Sequence, residues 1–239
     1  MPINGKPLLE IWLDSLFEIG IKEILVNVHH HSQEVIDFLS RKKFEKNISW
    51  VYEANLLGTA GTLIKNKDFF GEHDILLIHS DNLCLANLNS FINCHKNKPK
   101  SCLMTMMTFE SEDPSSCGIV EINSDKICLK FHEKVDNPPS NLANAAVYIL
   151  DNSLLKKIIK KKLSDFSLEV IPSLLGKILT WKNDNLHIDI GKVENLISAQ
   201  DKIKRCEENS NKNLDQWQKR FIKNDIHTRL EKVMLQRDA

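Results

Sequence analysis

The apolar residues of this chain follow two different spacings, which alternate along its length. Runs of consecutive apolar residues, such as 75–78 (Ile-Leu-Leu-Ile), are typical of strands that are covered on both faces of a sheet. Stripes at helical spacing, such as Leu8, Trp12 and Leu16, predict amphipathic helices between those runs. This alternation predicts an α/β fold, in which helices cover both faces of a mainly parallel sheet.

The apolar runs expected to share this sheet centre on Ile24, Val51, Ile75, Met104 and Val147. Helices are expected at 7–20, 33–43, 88–96, 153–162, 166–179 and 193–206. Two short strands at 118–122 and 126–131 flank the turn residues 123–125 (Asn-Ser-Asp), which predicts a small antiparallel hairpin. This hairpin is expected to be an insertion that lies outside the main sheet.

The pattern changes after residue 206, where a polar stretch carries Leu214, Trp217 and Phe221 at helical spacing. We therefore expect two regions, a body of residues 1–206 and a helical C-terminal tail of residues 207–239. The tail is expected to form one or two amphipathic helices that pack on the body or on a second copy of the chain. A homo-oligomer is thus an open alternative.

Charge and cysteine content narrow the class of protein. The 239 residues carry 32 Lys and Arg against 32 Asp and Glu, so no net field attracts nucleic acid or an anionic membrane. The six cysteines include no Cys-x-x-Cys pair, which favours reduced cysteines over a disulfide framework or a zinc site. These features favour a cytoplasmic protein that binds neither nucleic acid nor a membrane.

Two acidic residues stand directly at the ends of apolar runs. Asp81 follows the run at 75–78, and Asp189 lies at the end of the strand expected at 186–191. In open α/β sheets, ligands bind outside the carboxyl ends of the strands, so both acids are candidates to hold a metal or a polar substrate. The alternative for Asp81 is a structural role, in which it turns the chain together with Asn82.

A turn of small residues at 57–62 (Leu-Gly-Thr-Ala-Gly-Thr) leads into an expected helix. Glycines there let backbone N–H groups approach a ligand closely, although a tight turn that caps a helix uses the same residues. His29, His30 and His31 are a weaker candidate for metal binding. Adjacent residues on an extended chain point in different directions and do not easily share one zinc ion.

Six short motifs follow one another along the chain. They are 2–9 (Pro-Ile-Asn-Gly-Lys-Pro-Leu-Leu), 57–60 (Leu-Gly-Thr-Ala), a strand ending in Asp81, 133–134 (Glu-Lys), 144–148 (Asn-Ala-Ala-Val-Tyr) and 189–191 (Asp-Ile-Gly). Over about residues 1–206, this order resembles that of the sugar-1-phosphate nucleotidyltransferases, also called sugar nucleotide pyrophosphorylases, including the mannose- and heptose-1-phosphate guanylyltransferases. The resemblance implies a Rossmann-like, three-layer α/β/α fold with a mixed sheet. It also implies an enzyme of nucleotide-sugar biosynthesis, for example for lipopolysaccharide or capsule, which joins a sugar-1-phosphate to a nucleoside triphosphate and releases pyrophosphate.

The resemblance further implies roles for individual residues. Nucleotide binding falls to Gly58, Thr59 and Ala60, metal binding and catalysis to Asp81 and Asp189, and sugar-phosphate binding to Gly118, Glu133, Lys134 and Asn144. The implied metal is Mg²⁺, which usually takes one or two carboxylates together with phosphate oxygens and water. Glu133 would accept hydrogen bonds from sugar hydroxyls, and Lys134 would bind the sugar phosphate.

Two departures from the family pattern bear on activity. The family normally carries a Gly-rich loop, Gly-x-Gly-Thr-Arg-Leu…Pro-Lys, directly before the Pro-x-x-Gly-Lys-Pro segment, whereas this sequence starts at Met1, after that loop. Ala146 replaces the Gly of the family's Asn-Ala-Gly segment, a change that is expected to crowd the sugar. Because the loop would supply backbone donors and two cations to the triphosphate, turnover by this chain alone is expected to be impaired.

Three interpretations of the function stay open. The chain is an active nucleotidyltransferase completed by upstream sequence, a non-catalytic or regulatory paralogue that binds sugar phosphate or nucleotide, or a nucleotide-sugar-dependent glycosyltransferase. A glycosyltransferase would normally carry Asp-x-Asp, which 80–82 (Ser-Asp-Asn) does not match. The base and the sugar also stay open, and guanine with a mannose- or heptose-type sugar is implied only at the level of the family.

Overall fold

The structure, a computed structural model, describes residues 1–203 and 214–237. The strands are β1 (Pro2–Ile3), β2 (Lys6–Pro7), β3 (Ile24–Val28), β4 (Ile48–Tyr52), β5 (Ile75–Ile78), β6 (Asn82–Cys84), β7 (Met104–Glu110), β8 (Gly118–Ile122), β9 (Cys128–Glu133), β10 (Leu142–Leu150), β11 (Ile178–Lys182) and β12 (His187–Asp189). The helices are α1 (Leu8–Glu18), α2 (Ser32–Leu39), α3 (Gly58–Lys65), α4 (Lys67–Phe70), α5 (Leu88–Lys96), α6 (Asn152–Lys161), α7 (Val193–Lys202), α8 (Gln216–Phe221) and α9 (Asp225–Arg237). Within these residues, no helix combines the length and the apolarity needed to cross a membrane.

The chain divides into two compact units, and each unit is assembled from separate segments. The first contains Met1–Tyr52, Ser80–Cys84 and the described residues from Ile188 onward. The second contains Glu53–His79 and Leu85–His187. The expected metal ligands thus fall in the first unit, and the expected nucleotide and sugar-phosphate residues fall in the second.

The first unit contains the parallel pair of strands β3 and β4, which are in register from Ile24 opposite Ile48 to Val28 opposite Tyr52. The apolar stripes of α1 and α2 bury their side chains together, as the helical spacing predicts. The buried cluster consists of Leu13, Phe38, Leu39 and Phe44, and the strand residues Ile24, Val26 and Ile48 pack against it.

The opening motif at 2–9 forms a small hairpin, in which β1 pairs with β2, and then enters α1. Asn4 and Gly5 make its turn with φ angles of 46° and 81°, a left-handed region that both residue types tolerate. The Asn4 amide donates to the carbonyls of Gln200 and Ile203 at 3.0 and 2.6 Å. These bonds tie the hairpin to the end of α7.

The C-terminal helices α8 and α9 belong to the first unit. Trp217 of α8 packs edge-on against Phe38, with ring centroids 4.9 Å apart. Helix α8 therefore packs on α2 within the first unit. The expected boundary at residue 206 lies outside the described residues, so the division into 1–206 and 207–239 stays a prediction.

The second unit is built around a mixed sheet, which has six strands in the described part of the chain. Their order is β11–β7–β10–β8–β9, and β5 also pairs with β10. Strand β10 runs antiparallel to β5, β7 and β8, whereas β7 and β11 are parallel. A mixed sheet combined with helices confirms the predicted three-layer α/β fold class.

Three expectations about the sheet are wrong. It is mixed but not mainly parallel, since of the strand pairs described in it only β7 and β11 run in the same direction. The strands centred on Ile24 and Val51 do not share the sheet of the other strands, because within the described residues they pair with each other alone. The hairpin of β8 and β9 is not outside the sheet, since β8 pairs with β10 where Ile119 faces Ala143. This pairing buries Val120 in the core of the second unit, which an isolated hairpin would leave in water.

The helix expected at 166–179 is also wrong. Short helical turns at Phe166–Val170 and Pro172–Leu174 are followed by strand β11. Pro172 has no N–H with which to continue a helix, so the chain turns there. The apolar run that starts at Ile178 then pairs with β7 in parallel, with Ile178 opposite Met104.

A buried charge network in the first unit joins three helical segments. The Arg41 side chain is only 4% exposed, and it donates to Glu10 at 2.8 Å and to Asp215 at 2.7 Å. Its guanidinium lies 5.1 Å from the ring centre of Trp217 and 5.3 Å from that of Phe38. One buried cation therefore satisfies two acids and packs against the aromatic residues that hold the tail.

Replacing Arg41 with Met should lower the free energy of unfolding by about 2–3 kcal/mol, because it leaves the buried Glu10 with Lys43 alone and removes the cation bonded to Asp215. Arg229→Met is the matched control, since the Arg229–Asp225 pair is exposed and should contribute less than about 0.5 kcal/mol. Urea unfolding followed by tryptophan fluorescence measures both. An Arg41→Met loss no greater than that of the control would contradict the role given to this network.

His95 is a buried titratable group between α5 and β7 of the second unit. It is 3% exposed, its Nδ1 lies 2.8 Å from Thr105 Oγ1, and its Nε2 lies 3.4 Å from Asp74 Oδ2. Burial lowers the pKa of His95, and the nearby Lys98 adds to this effect, while Asp74 and Asp151 oppose it. The folded state therefore holds the neutral imidazole at a pH where the unfolded chain already binds a proton.

The stability of the second unit should consequently fall as the pH drops below about 6.5, the ordinary histidine pKa, by at most about 1.4 kcal/mol per pH unit. His95→Gln should flatten this dependence, because it removes the titrating group. Thr105→Val should lower stability at every pH without flattening the curve. Urea unfolding between pH 5 and 8 tests this, and an unchanged slope in His95→Gln would refute it.

Candidate functional site

Asp81 and Asp189, the expected metal ligands, lie on neighbouring backbone segments of the first unit. Asp81 directly precedes β6, Asp189 ends β12, and these two strands pair with each other. The N–H of Ile190 donates to the carbonyl of Asp81 at 3.2 Å, so the segments that carry the acids are in direct contact. Both acidic residues are exposed. The structure thus brings the backbones of the two acids together.

Two carboxylates suit a hard cation that takes its other oxygen ligands from a bound substrate and from water. Carboxylates supply hard oxygen donors, and a Mg²⁺ ion that binds substrate phosphates is usually held by one or two of them. Among the described residues, no group of three or more His, Cys, Asp or Glu side chains is arranged to hold a metal. Two exposed carboxylates fit a metal whose remaining ligands are phosphate oxygens and water.

Hydrogen bonds from neighbouring residues hold both acids in place. Asn82 Nδ2 donates to Asp81 Oδ1 at 3.2 Å, and the Trp12 indole of α1 donates to the Asn82 carbonyl at 2.7 Å. Asp189 Oδ1 accepts from the N–H of Gly191 at 2.8 Å. The sequence pattern identified Trp12 only as part of the apolar stripe of α1, because its indole N–H contact is not visible from spacing.

The glycine turn at the start of α3 is held by the carbonyl of Ser164 in the second unit. Gly58 has a φ angle of +74°, and a Cβ at this position would lie 2.4 Å from the Ser164 oxygen. The N–H groups of Ala60 and Gly61 donate to the same oxygen at 3.0 and 3.3 Å. Two of the donors expected to face a ligand are therefore already bound within the protein. Nucleotide binding by this turn stays a prediction, which rests on Gly58 and Thr59.

Glu53 is a second support of this turn that the sequence analysis missed. The residue is 1% exposed, and its carboxylate accepts from the N–H of Leu57 at 3.3 Å and from Thr62 Oγ1 at 2.9 Å. These bonds join the residues before α3 to its first turns. The available signal was an acid directly after β4, which is similar to Asp81 in the loop after β5.

Three of the expected sugar-phosphate residues meet at the end of the β8–β9 hairpin. Gly118 lies directly opposite Glu133 in the register of the two strands. A Cβ at Gly118 would lie 2.5 Å from the Phe131 ring and 2.9 Å from Glu133 Oε2, so glycine leaves the space that these side chains fill. The exposed Lys134 follows, and its N–H donates to the carbonyl of Cys117 at 3.2 Å.

Asn144 reaches the same place from the neighbouring strand. Because Ala143 of β10 faces Ile119 of the antiparallel β8, the next residue, Asn144, lies beside Gly118. Gly118, Glu133 and Asn144 therefore lie on three adjacent strands. The structure brings together residues that are well separated in the sequence.

Burial controls the electrostatics of this group. Burial raises the pKa of Glu133, and Asp165 raises it further, while Lys134 opposes the shift. Burial also raises the pKa of Tyr148, whose hydroxyl accepts from Asn144 Nδ2 at 2.6 Å. The group can offer a carboxyl and an amide to sugar hydroxyls and an exposed ammonium to a phosphate.

Ala146 lies in a bulge of β10, where the register shifts between Asn144 and Tyr148. Its φ angle is 54°, a left-handed conformation that costs an L-residue about 1–2 kcal/mol and that glycine adopts freely. The N–H of Ala146 donates to Asn144 Oδ1 at 3.0 Å, which stabilises the bulge. The backbone conformation gives a physical reason for the family's glycine at this position, apart from the expected crowding of the sugar.

Gly58→Ala should destabilise the protein by about 3 kcal/mol or more, since it adds a clash with the Ser164 carbonyl to the strain of a positive φ angle. Gly176→Ala is a matched control, because Gly176 has a φ angle of +79° and no neighbouring atom within 4 Å of the place where a Cβ would lie. The control should lose only about 1–2 kcal/mol. Equal losses in urea unfolding would show that the contact with Ser164 does not constrain the turn.

Comparison with known proteins finds relatives that are named as nucleotidyltransferases. UTP–glucose-1-phosphate uridylyltransferase of Synechocystis sp. is 28% identical over 210 residues, which cover 81% of this chain and 54% of that protein. Mannose-1-phosphate guanylyltransferase catalytic subunit beta of Dictyostelium discoideum is 27% identical over 204 residues, which cover 82% and 55%. The chain thus spans about half the length of the curated relatives it matches.

Solved structures share the fold. HddC from Yersinia pseudotuberculosis has a TM-score of 0.72 at 22% identity, with 85% of this chain and 88% of that chain covered. Residues 1–205 match the family described as nucleotidyl transferase. The resemblance inferred from the motifs is confirmed, and the chain belongs to the nucleotidyl transferase family.

Proposed function

We propose that this chain acts as a sugar-1-phosphate nucleotidyltransferase, which makes a nucleotide-sugar and pyrophosphate from a sugar-1-phosphate and a nucleoside triphosphate. One observation carries the proposal. The 3.2 Å hydrogen bond from Ile190 N–H to the Asp81 carbonyl brings the segments of two distant acids together. A pair of carboxylates is the ligand set that Mg²⁺ needs from a protein when it also binds phosphates. Family membership supports the same reaction class.

In this reaction, a phosphate oxygen of the sugar-1-phosphate attacks the α-phosphorus of the nucleoside triphosphate. The bond from the α-phosphorus to the oxygen that bridges the α- and β-phosphates breaks, and pyrophosphate leaves with the electron pair. Asp81 and Asp189 would hold a Mg²⁺ ion, which supplies charge neutralisation at the reacting phosphates when bound. Gly58 and Thr59 would contact the nucleotide, whereas Ala60 is fully buried and its N–H is bonded to Ser164.

The sugar-phosphate residues have separate tasks in this proposal. Glu133 accepts hydrogen bonds from sugar hydroxyls. Gly118 lies between Glu133 and Asn144, which are on the two neighbouring strands. Lys134 carries its charge in water and balances the sugar phosphate as a point charge. Gly118 leaves room for the Glu133 carboxyl group, and a larger residue at position 118 would displace that group.

The nucleotide base and the sugar are open within this class. The Synechocystis relative is named for uridylyl and glucose, and the Dictyostelium relative for guanylyl and mannose, at nearly the same identity to this chain. We therefore propose the class of substrates and leave the base to experiment. A role in nucleotide-sugar biosynthesis in the cytoplasm is part of the same proposal.

The test is binding and turnover with a panel of GTP, ATP, UTP and dTTP and of glucose-, mannose- and heptose-1-phosphates. Calorimetry should detect binding of a nucleoside triphosphate that requires Mg²⁺, and Asp81→Asn or Asp189→Asn should weaken it at least about tenfold. Asp184→Asn is the matched control, because Asp184 is an exposed acid that pairs with Lys182. It should leave binding unchanged.

Pyrophosphate release in the same samples separates two of the interpretations given above. Release with one nucleotide and sugar pair supports the transferase, and Mg²⁺-dependent binding without release supports a non-catalytic paralogue. Binding that needs no Mg²⁺, or that is indifferent to both acids, would contradict the proposed metal site.

A further inference from the structure

The carboxylate of Glu169 gathers three donors from a single turn of the second unit. It accepts from the N–H of Ser164 at 2.7 Å, from Ser164 Oγ at 3.0 Å and from the N–H of Asp165 at 2.9 Å. These hydrogen bonds lower the pKa of Glu169, so the group is ionised when it binds the turn. An exposed side chain thus bonds to the backbone N–H groups of residues 164 and 165.

One side of this turn faces the glycine segment at the start of α3. The Ser164 carbonyl accepts from Ala60 and Gly61 and leaves no space for a Cβ at Gly58. A carbonyl can hold this position only while the peptide that carries it keeps its orientation. The N–H of that same peptide belongs to Asp165 and donates to Glu169. Glu169 therefore restricts the orientation of the peptide.

The residue after the turn leads to Tyr148, whose hydroxyl accepts from Asn144. The charge of Asp165 raises the pKa values of Glu133 and Tyr148, so it lies within electrostatic reach of both. Phe166 packs on Tyr148 with ring centroids 4.7 Å apart. Ser164 therefore contacts the glycine segment, and Phe166 contacts Tyr148, the hydrogen-bond partner of Asn144.

We propose that Glu169 is a positioning residue, which holds the turn at 164–165 so that the nucleotide segment and the sugar-phosphate residues keep one fixed arrangement. Glu169 acts through Ser164 and Asp165 and need not touch a substrate. A site that is arranged before binding loses less conformational entropy when the ligand arrives. The functional part of this inference rests on the proposed function, whereas the structural part does not.

Amide hydrogen exchange tests the structural part on the full chain without any ligand. In Glu169→Ala, the amides of Ala60 and Gly61 should exchange about tenfold faster, because their acceptor is no longer held. Glu169→Gln keeps an acceptor oxygen and should restore most of the protection. Glu72→Ala is the matched control, since Glu72 is an exposed acid of the same unit that pairs with Lys156 at 2.6 Å. Unchanged exchange at Ala60 and Gly61 in Glu169→Ala would overturn the proposal.

Calorimetry with the same nucleotide panel and Mg²⁺ tests the functional part. Glu169→Ala should weaken nucleoside triphosphate binding about fivefold to tenfold, with Glu169→Gln close to the unmodified chain and Glu72→Ala equal to it. Faster exchange with unchanged affinity would overturn the link to binding. If the unmodified chain binds no nucleotide, the proposed function fails, while the exchange experiment still decides whether Glu169 holds the turn.

Should Glu169→Ala fail to fold, Ser164→Ala supplies a milder form of the same test. It deletes only the hydroxyl donor and keeps the Ser164 carbonyl, so it should raise exchange at Ala60 and Gly61 by a smaller factor of about three. No change at these two amides would overturn the proposal in the same way.

Discussion

The sheet of the second unit depends on strand β10, which pairs with two different strands along one of its two edges. On one edge, β10 pairs with β7 both before and after its bulge. On the other edge, it pairs with β8 at Ala143 and with β5 from Val147 to Leu150. The bulge between Asn144 and Tyr148 is the point at which that edge passes from one strand to the other. Because β8 and β5 separate there, the expected sugar-phosphate residues lie beside an interruption of the sheet.

That change of partner has a local conformational cost, which falls on Ala146. A bulge adds a residue that the neighbouring ladder cannot pair, and it favours an unusual backbone angle at that residue. Ala146 adopts φ 54° and is held by Asn144 Oδ1 on its N–H, while its carbonyl accepts from the N–H of His79 at 3.0 Å. Asn144 therefore has a structural task within the protein as well as its expected contact with the sugar.

The sequence predicts the elements of the fold better than their partners. Hydrophobic spacing identified α5 at 88–96 and the central run at 75–78, because the period of burial is a local property. Pairing is not local. Nothing in the runs around Ile24 and Val51 distinguishes two strands that pair with each other from two strands of a larger sheet. The helix expected at 166–179 failed for a related reason, since β11 is apolar enough to suit a buried helix or a strand.

The candidate site divides in the same way between what a sequence can and cannot reveal. Asp81, Glu133 and Lys134 were found because short motifs preserve their order. Ser164 and Glu169 were not found, because Ser164 acts through its carbonyl oxygen, and every residue has one. Such a carbonyl can be inferred from the sequence only at the residue that it contacts, because it leaves no space there for a side chain.

Glycine marks positions of close contact in the sequence, but the reason why glycine is needed differs between Gly58 and Gly118. Gly58 is constrained twice, by a φ angle of +74° and by the Ser164 oxygen, which would lie 2.4 Å from a Cβ. Gly118 is constrained by space alone, since its φ angle lies outside the left-handed region and its neighbours are the side chains of Phe131 and Glu133. A side chain can adopt another rotamer to make room, whereas a carbonyl held by two N–H groups cannot. Gly58 is therefore the more rigid requirement of the two, and Gly118 is the position where a small residue could be accommodated if the Glu133 side chain moved.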